Sequence, residues 1–151
     1  MRFDQDKTYP LCGRYLRIWM NPDVLQKKYP TVWQAFVELT EDKPLASEAL
    51  THGRGPLVRI VSVPGTANGQ HTPGVDEVRI DPLVADQYEK GRDPKFKDPG
   101  WMVWESTVLH EIVHWARYKG KKSKRLAGDL EAGEEFEKRA YGKNIHCGCK
   151  I

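Results

Sequence analysis

From Trp101 to Trp115 ionisable side chains occur only at Glu105, His110, Glu111 and His114, and most of the other positions are apolar. Trp101, Trp104, Val108, Ile112 and Trp115 recur every three or four residues, with Met102, Leu109, Val113 and Ala116 beside them, which is the period of a helix. Asp98-Pro99 supplies an N-terminal cap with proline in the first turn and Gly120 supplies a stop, so the spacing predicts a helix of about twenty residues. Because it is apolar on more than one side, this helix belongs at the centre of the fold.

His110 and His114 are four apart, with Glu111 directly after the first. On a helix, positions i and i+4 share a face one turn apart, so both imidazoles reach a single ion at about 2.0–2.1 Å. Glu111 is rotated by about 100° from His110 and sits beside such an ion without ligating it. A general base for an activated water belongs there. This HExxH spacing is the signature of zinc metallopeptidases, so Zn²⁺ is the expected cofactor.

Catalytic zinc sites normally use three protein ligands. The extended pattern HExxHxxGxxH would need Gly at 117 and His at 120, where this chain has Arg117 and Gly120, and no further His occurs before His146. Asp129, Glu131, Glu134, Glu135 and Glu137 are the nearby donors, on a stretch that reads as a helix from Leu130 to Tyr141 ended by Gly142. A ligand there faces an open cleft, so the opposite side of the helix should be apolar or small. For Glu135 that side holds Ala132, Gly133, Phe136, Glu137, Ala140 and Tyr141, suitable at five of six positions. The expected metal ligands are therefore His110, His114 and Glu135, with Glu131 and then Glu134 as alternatives. Glu137 lies on the apolar side itself, and a place behind a ligand suits it better.

Elsewhere, Leu16, Ile18 and Met20 alternate with Tyr15, Arg17 and Trp19, which predicts a strand over 14–20. Asn21-Pro22 starts a short helix through Leu25, and a second runs from Thr31 to Thr40. The polar stretch from Glu41 to Pro56 reads mostly as loop. Leu57 to Val63 is rich in β-branched residues, and Val75 to Asp81 alternates, so the two are predicted to form a hairpin. Asp81-Pro82 opens a helix towards Tyr88. Together these elements predict an α+β fold in which the HExxH helix and a downstream glutamate helix pack with a small sheet or hairpin.

At 151 residues the chain suits one domain spanning 1–151. No stretch approaches the roughly 20 apolar residues that cross a bilayer, so no membrane association is expected. A net charge of +3 is low for a non-specific nucleic-acid binder, and nucleic acid is not an expected partner. The start, Met1 to Lys7, lacks the apolar core of a signal peptide. Cys12, Cys147 and Cys149 are too few for a disulfide framework.

The run His110-Glu111-Ile112-Val113-His114-Trp115-Ala116-Arg117-Tyr118, followed by Glu131-Ala132-Gly133-Glu134-Glu135-Phe136-Glu137-Lys138-Arg139-Ala140-Tyr141-Gly142, resembles the gluzincin arrangement of zinc peptidases. In particular it resembles the small metallopeptidase toxin domains at the C-termini of bacterial polymorphic toxins and type VI secretion effectors. The resemblance implies a zincin-like fold and a zinc-dependent endopeptidase acting on protein or peptide. It also implies delivery from the producer's cytoplasm into a competitor or host cell without a signal peptide, and a cognate immunity protein as partner.

On this reading Glu111 and Tyr141 are the expected catalytic residues. Glu111 takes a proton from water and passes it to the leaving amine, and Tyr141, His52 and His71 are the candidates for a donor to the oxyanion. The strand ending at Ile80 is expected to pair with an extended substrate. Two other classes fit the same motif: a non-catalytic interaction domain that keeps the scaffold, and a metallohydrolase acting on peptidoglycan cross-links. Trp101, Trp104 and Trp115 read as core. The basic stretch Arg117, Lys119, Lys121, Lys122, Lys124 and Arg125 reads as a solvated connection between helices. His146-Cys147-Gly148-Cys149 lacks CxxC spacing and reads as a tail rather than a second metal site.

Overall fold

Proline punctuates the first half of the molecule. In the computed structural model, which describes residues 1–91 and 97–145, α1 (Pro10–Ile18), α2 (Pro22–Lys28) and α3 (Pro30–Thr40) each begin at a proline. In α4 (Lys43–Leu50) Pro44 falls in the first turn, and α5 (Pro82–Glu89) again begins at one. Proline has φ already set for a helix and lacks an N–H that the first turn would leave unbonded. Asn21, Asp42 and Asp81 supply the matching caps, accepting the N–H groups of Val24, Leu45 and Leu83 at 3.0 Å each.

Two expectations fail here. Residues 14–20 belong largely to helix α1, where Cys12, Tyr15 and Leu16 are buried at helical spacing, and not to a strand. Seven residues are too few to separate a period of two from one of about 3.6. The predicted loop from Glu41 to Pro56 contains α4, whose Ala46, Ala49 and Leu50 face the core.

The sheet has three strands, β1 (Leu57–Ile60), β2 (Gly69–His71) and β3 (Glu77–Ile80), in the order β1-β3-β2. β1 and β3 are neighbours but run parallel, with Val58 opposite Val78 and Ile60 opposite Ile80. The hairpin partner of β3 is β2, which pairs antiparallel with Gly69 opposite Ile80 and His71 opposite Val78. The predicted hairpin of 57–63 with 75–81 is thus replaced by a parallel pair. Asp81 explains the detour: its carboxylate accepts Val63 N at 3.0 Å and its N–H donates to Asn68 O at 2.8 Å. These bonds turn the chain aside after β1 and bring it back along the far edge of β3.

Helix α6 (Gly100–Lys119) runs through the middle of this α+β arrangement, against α3, α5 and the sheet. Trp104, Val108, Leu109, Ile112 and Val113 are fully buried, each worth about 1.5–3 kcal/mol of apolar burial, whereas Trp101 is 42% exposed and outside the core. Asp98 does not cap α6; Pro99 holds the cap position and the Asp98 carboxylate takes Lys143 Nζ at 2.6 Å.

Helix α7 (Ala132–Tyr141) packs on α6 and α3, where Phe136 meets Phe36 edge-on at 6.2 Å. It starts later than Leu130 because Gly128 and Asp129, at φ 80° and 62°, break the chain into the left-handed region, and Glu131 is extended. Among the described residues no helix is long and apolar enough to cross a membrane. His146-Cys147-Gly148-Cys149 lies outside the described residues.

Candidate metal centre

Helical spacing places His110 and His114 on one face of α6 with ring centroids 5.0 Å apart. Facing them is Glu131, the N-cap of α7, with Oε2 3.4 Å from His110 Nε2 and Oε1 closer still to His114 Nε2. One donor atom from each of the three residues lies within 4.8 Å of the others. The Glu131 oxygens also accept Gly133 N at 3.0 Å and Glu134 N at 2.8 Å, so the helix start fixes the carboxylate. Burial works against its charge, but the His114 bond, both imidazoles and the Gly133 N–H hold its pKa down to about 2.

Behind His110, Glu137 Oε1 sits 2.7 Å from Nδ1, which turns Nε2 towards Glu131. Burial opposes charge on His110, yet the Glu137 bond and the Glu111, Glu137 and Glu131 carboxylates push its pKa up to about 9. The pocket therefore favours positive charge. Packing sets how close the two helices come: a Cβ on Gly133 would lie 2.3 Å from His110 Nε2, so glycine lets α7 approach the imidazole. Two imidazoles and one carboxylate, convergent and electrostatically tuned for a cation, fit a divalent ion such as zinc.

Glu111 is 7% exposed and points under β2, where a Cβ on Gly69 would come within 2.7 Å of its Cγ. Burial raises its pKa, with His110 and His114 opposing. His71 on β2 enters the same cleft, a cavity of about 610 Å³, beside Tyr118. Its Nε2 is buried without a hydrogen-bond partner, and burial, then His114, lower its pKa to about 4. His71 is neutral at pH 7.

The structure does not bring Glu135 to the histidines. Its Oε1 takes Arg139 Nε at 2.9 Å on the outer face of α7. Helical periodicity orders only acids that lie on the helix, and Glu131 precedes α7 as its N-cap. The sequence signal for a later helix start is Gly128-Asp129, a pair suited to a break in the chain just before Glu131. Tyr141 does not reach the cleft either: its hydroxyl donates to Glu105 Oε1 at 2.7 Å, and burial with Glu105 keeps it protonated well above the ordinary range. His52 lines a separate small pocket with Met1 and Phe3. Of the basic stretch, Arg117 is not solvated. It is 3% exposed and donates to Leu39 O, Glu41 Oε2 and Ser123 O at 2.6–2.7 Å.

Residues 5–142 match the family described as metallopeptidase toxin 3. The chain belongs to that family. Its metallopeptidase toxin domain accordingly takes in the whole sheet, α6 and α7, well beyond the C-terminal motifs that first suggested the resemblance. The chain is also similar to the ribosome maturation factor RimP of Kineococcus radiotolerans, 31% identical over an alignment of 99 residues that covers 63% of this chain and 48% of that protein. It thus spans about half the length of the curated relative it matches. No solved structure matches it.

Proposed function

We propose that the protein is a zinc-dependent endopeptidase of the toxin class, delivered into a target cell, with His110, His114 and Glu131 holding the ion and Glu111 as general base. The observation that carries this reading is the convergence of the Glu131 carboxylate on His110 and His114 beside the buried Glu111. An ion held there supplies Lewis acidity, making a water acidic at neutral pH and polarising a carbonyl. Glu111 takes the proton of the attacking water and delivers it to the leaving amine. His71, as the Nε2–H tautomer, donates to the developing oxyanion from β2. It takes the place expected for Tyr141.

β3 is the middle strand, so a substrate pairs with β2 and not with the strand ending at Ile80. The outer edge of β2 borders the cleft through Gly69, Gln70 and His71. Substrate proteins lie in the target cell, and a cognate immunity protein in the producer would cover the cleft. Zinc content by mass spectrometry together with cleavage mapping of a target proteome tests the proposal. Wild type should carry one zinc and cleave, and Glu111→Gln should keep zinc and cleave nothing. Proteolysis that survives Glu111→Gln would overturn it.

A further inference from the structure

The cleft has two lobes that meet at Gly69, His110 and Glu111, and they carry opposite charge. In the larger lobe, apart from the metal-site residues and Glu111, the charged lining residues are Lys122 and Lys124. This lobe continues past Tyr118 into an open groove of about 540 Å³ walled by Lys119, Lys121 and Lys122, without an acidic residue. Lys122 Nζ donates to Glu41 O at 3.3 Å, and the Glu41 carboxylate is itself taken by Arg117. Lys124 makes no ion pair among the described residues. The Arg117 bonds to Ser123 O and Leu39 O hold this lysine-bearing segment in place.

The smaller lobe, about 290 Å³, is lined by Glu134, Glu137, Asn68, Thr107 and Asn144, with no Lys or Arg among them. Glu137 is committed to His110 Nδ1 and Ile145 N. Glu134 forms no ion pair among the described residues, and Asn144 Oδ1 is buried without a hydrogen-bond partner. Of the cations nearby in sequence, Lys143 pairs with Asp98 and Arg139 with Glu135 and Glu38, while Lys138, one turn after Glu134 on α7, forms no ion pair among the described residues and stands outside the lining of the lobe. A carboxylate and an orphaned carbonyl oxygen together ask for a donor with positive charge.

We infer that the cleft reads charge polarity, selecting peptide segments with an acidic side chain on one side of the scissile bond and a basic side chain on the other. The inference rests on the peptidase reading. The acidic side chain enters the lysine lobe and the basic one meets Glu134 and Asn144. Two partly exposed pairs of ordinary strength together give roughly tenfold discrimination, weaker at high salt.

The test uses zinc-loaded protein and four peptides of one sequence that differ only in the charges flanking the scissile bond: acid then base, base then acid, both acidic, and both basic. One mixed order should be cleaved about tenfold faster than the other. The same order should bind Glu111→Gln more tightly by fluorescence anisotropy. Lys122→Glu/Lys124→Glu should exchange the acidic requirement for a basic one, and Glu134→Lys should do the reverse on the other side. Cleavage of all four peptides at equal rates, or a lysine double variant with unchanged preference, would overturn the inference and leave the peptidase reading intact. Failure of wild type to cleave any of them or any protein would sink the peptidase reading itself, and the inference with it.

Discussion

Glu137 joins His110 to the chain that follows α7: one carboxylate oxygen lies 2.7 Å from His110 Nδ1 and the other accepts Ile145 N at 2.7 Å. A charged acceptor on Nδ1 fixes the ring's orientation and makes Nε2 a stronger ligand. Glu137→Gln keeps the size and the bond to Ile145 but removes the charge. Zinc affinity should fall about 10–100-fold, read by competition with a chromophoric chelator. The urea midpoint of the metal-free protein should fall too, because His110 loses the charged partner that raises its pKa. Unchanged affinity would show that Glu137 only braces the chain end.

The choice between Glu131 and Glu135 can be made without confusing metal loss with unfolding. Glu131 caps α7, so Glu131→Ala loses about 1 kcal/mol of stability whatever its role at the ion. Glu131→Asn retains a good cap on a shorter side chain. It should bind little zinc at temperatures where it is folded, and its metal-free thermal midpoint should fall below wild type because the carboxylate whose pKa His110 and His114 hold down is gone. Glu135→Ala removes one surface pair with Arg139, costs about 0.5 kcal/mol, and should keep full zinc stoichiometry. The opposite pattern would restore Glu135 as the ligand.

These residues also show how far the sequence reached. His110, Glu111 and His114 were legible because helix spacing alone puts them together, and the α+β class followed from segments of clear period. On sequence alone Glu131 falls behind Glu135 because its position depends on a cap and a left-handed break at Gly128 and Asp129, which helical periodicity does not encode. α1 and α4 were missed for related reasons: Pro10 and Pro44 start helices, and short windows near them read as strand or loop. The parallel pairing of β1 with β3 depends on Asp81 reaching Val63, a contact between segments that no local pattern encodes. Arg117 is one of a basic run in sequence, and only its three carbonyl and carboxylate partners, all distant or non-helical contacts, set it apart.

Gly133 offers a test whose sign runs against propensity. Alanine in place of glycine inside a helix normally stabilises by about 1 kcal/mol. Here the new methyl would come 2.3 Å from both Cδ2 and Nε2 of His110. Gly133→Ala should therefore displace either the imidazole or α7, lowering zinc affinity and costing about 1–3 kcal/mol in chemical denaturation. A more stable variant with normal zinc binding would mean that α7 does not press on His110 as described.

Glu105 lies on the same helix as the motif, 3% exposed, accepting Tyr15 at 2.5 Å and Tyr141 at 2.7 Å. Burial raises its pKa, and the two hydroxyl bonds only partly oppose that. The folded state therefore binds the Glu105 proton more tightly than the unfolded state. The resulting stabilisation is fully present below the ordinary value of 4.5 and is lost as pH rises through the raised folded value. Glu105→Gln keeps the shape and a neutral acceptor for one tyrosine while the other hydroxyl reverses its role. Relative to wild type, both with chelator present, the variant should gain stability as pH rises from 4.5 to 8, since the titration of all other groups cancels in the difference. The readout is the difference in urea midpoint across that range. A difference that stays flat would mean that Glu105 ionises in the folded protein as easily as in the unfolded chain, and that the two tyrosines offset its burial in full.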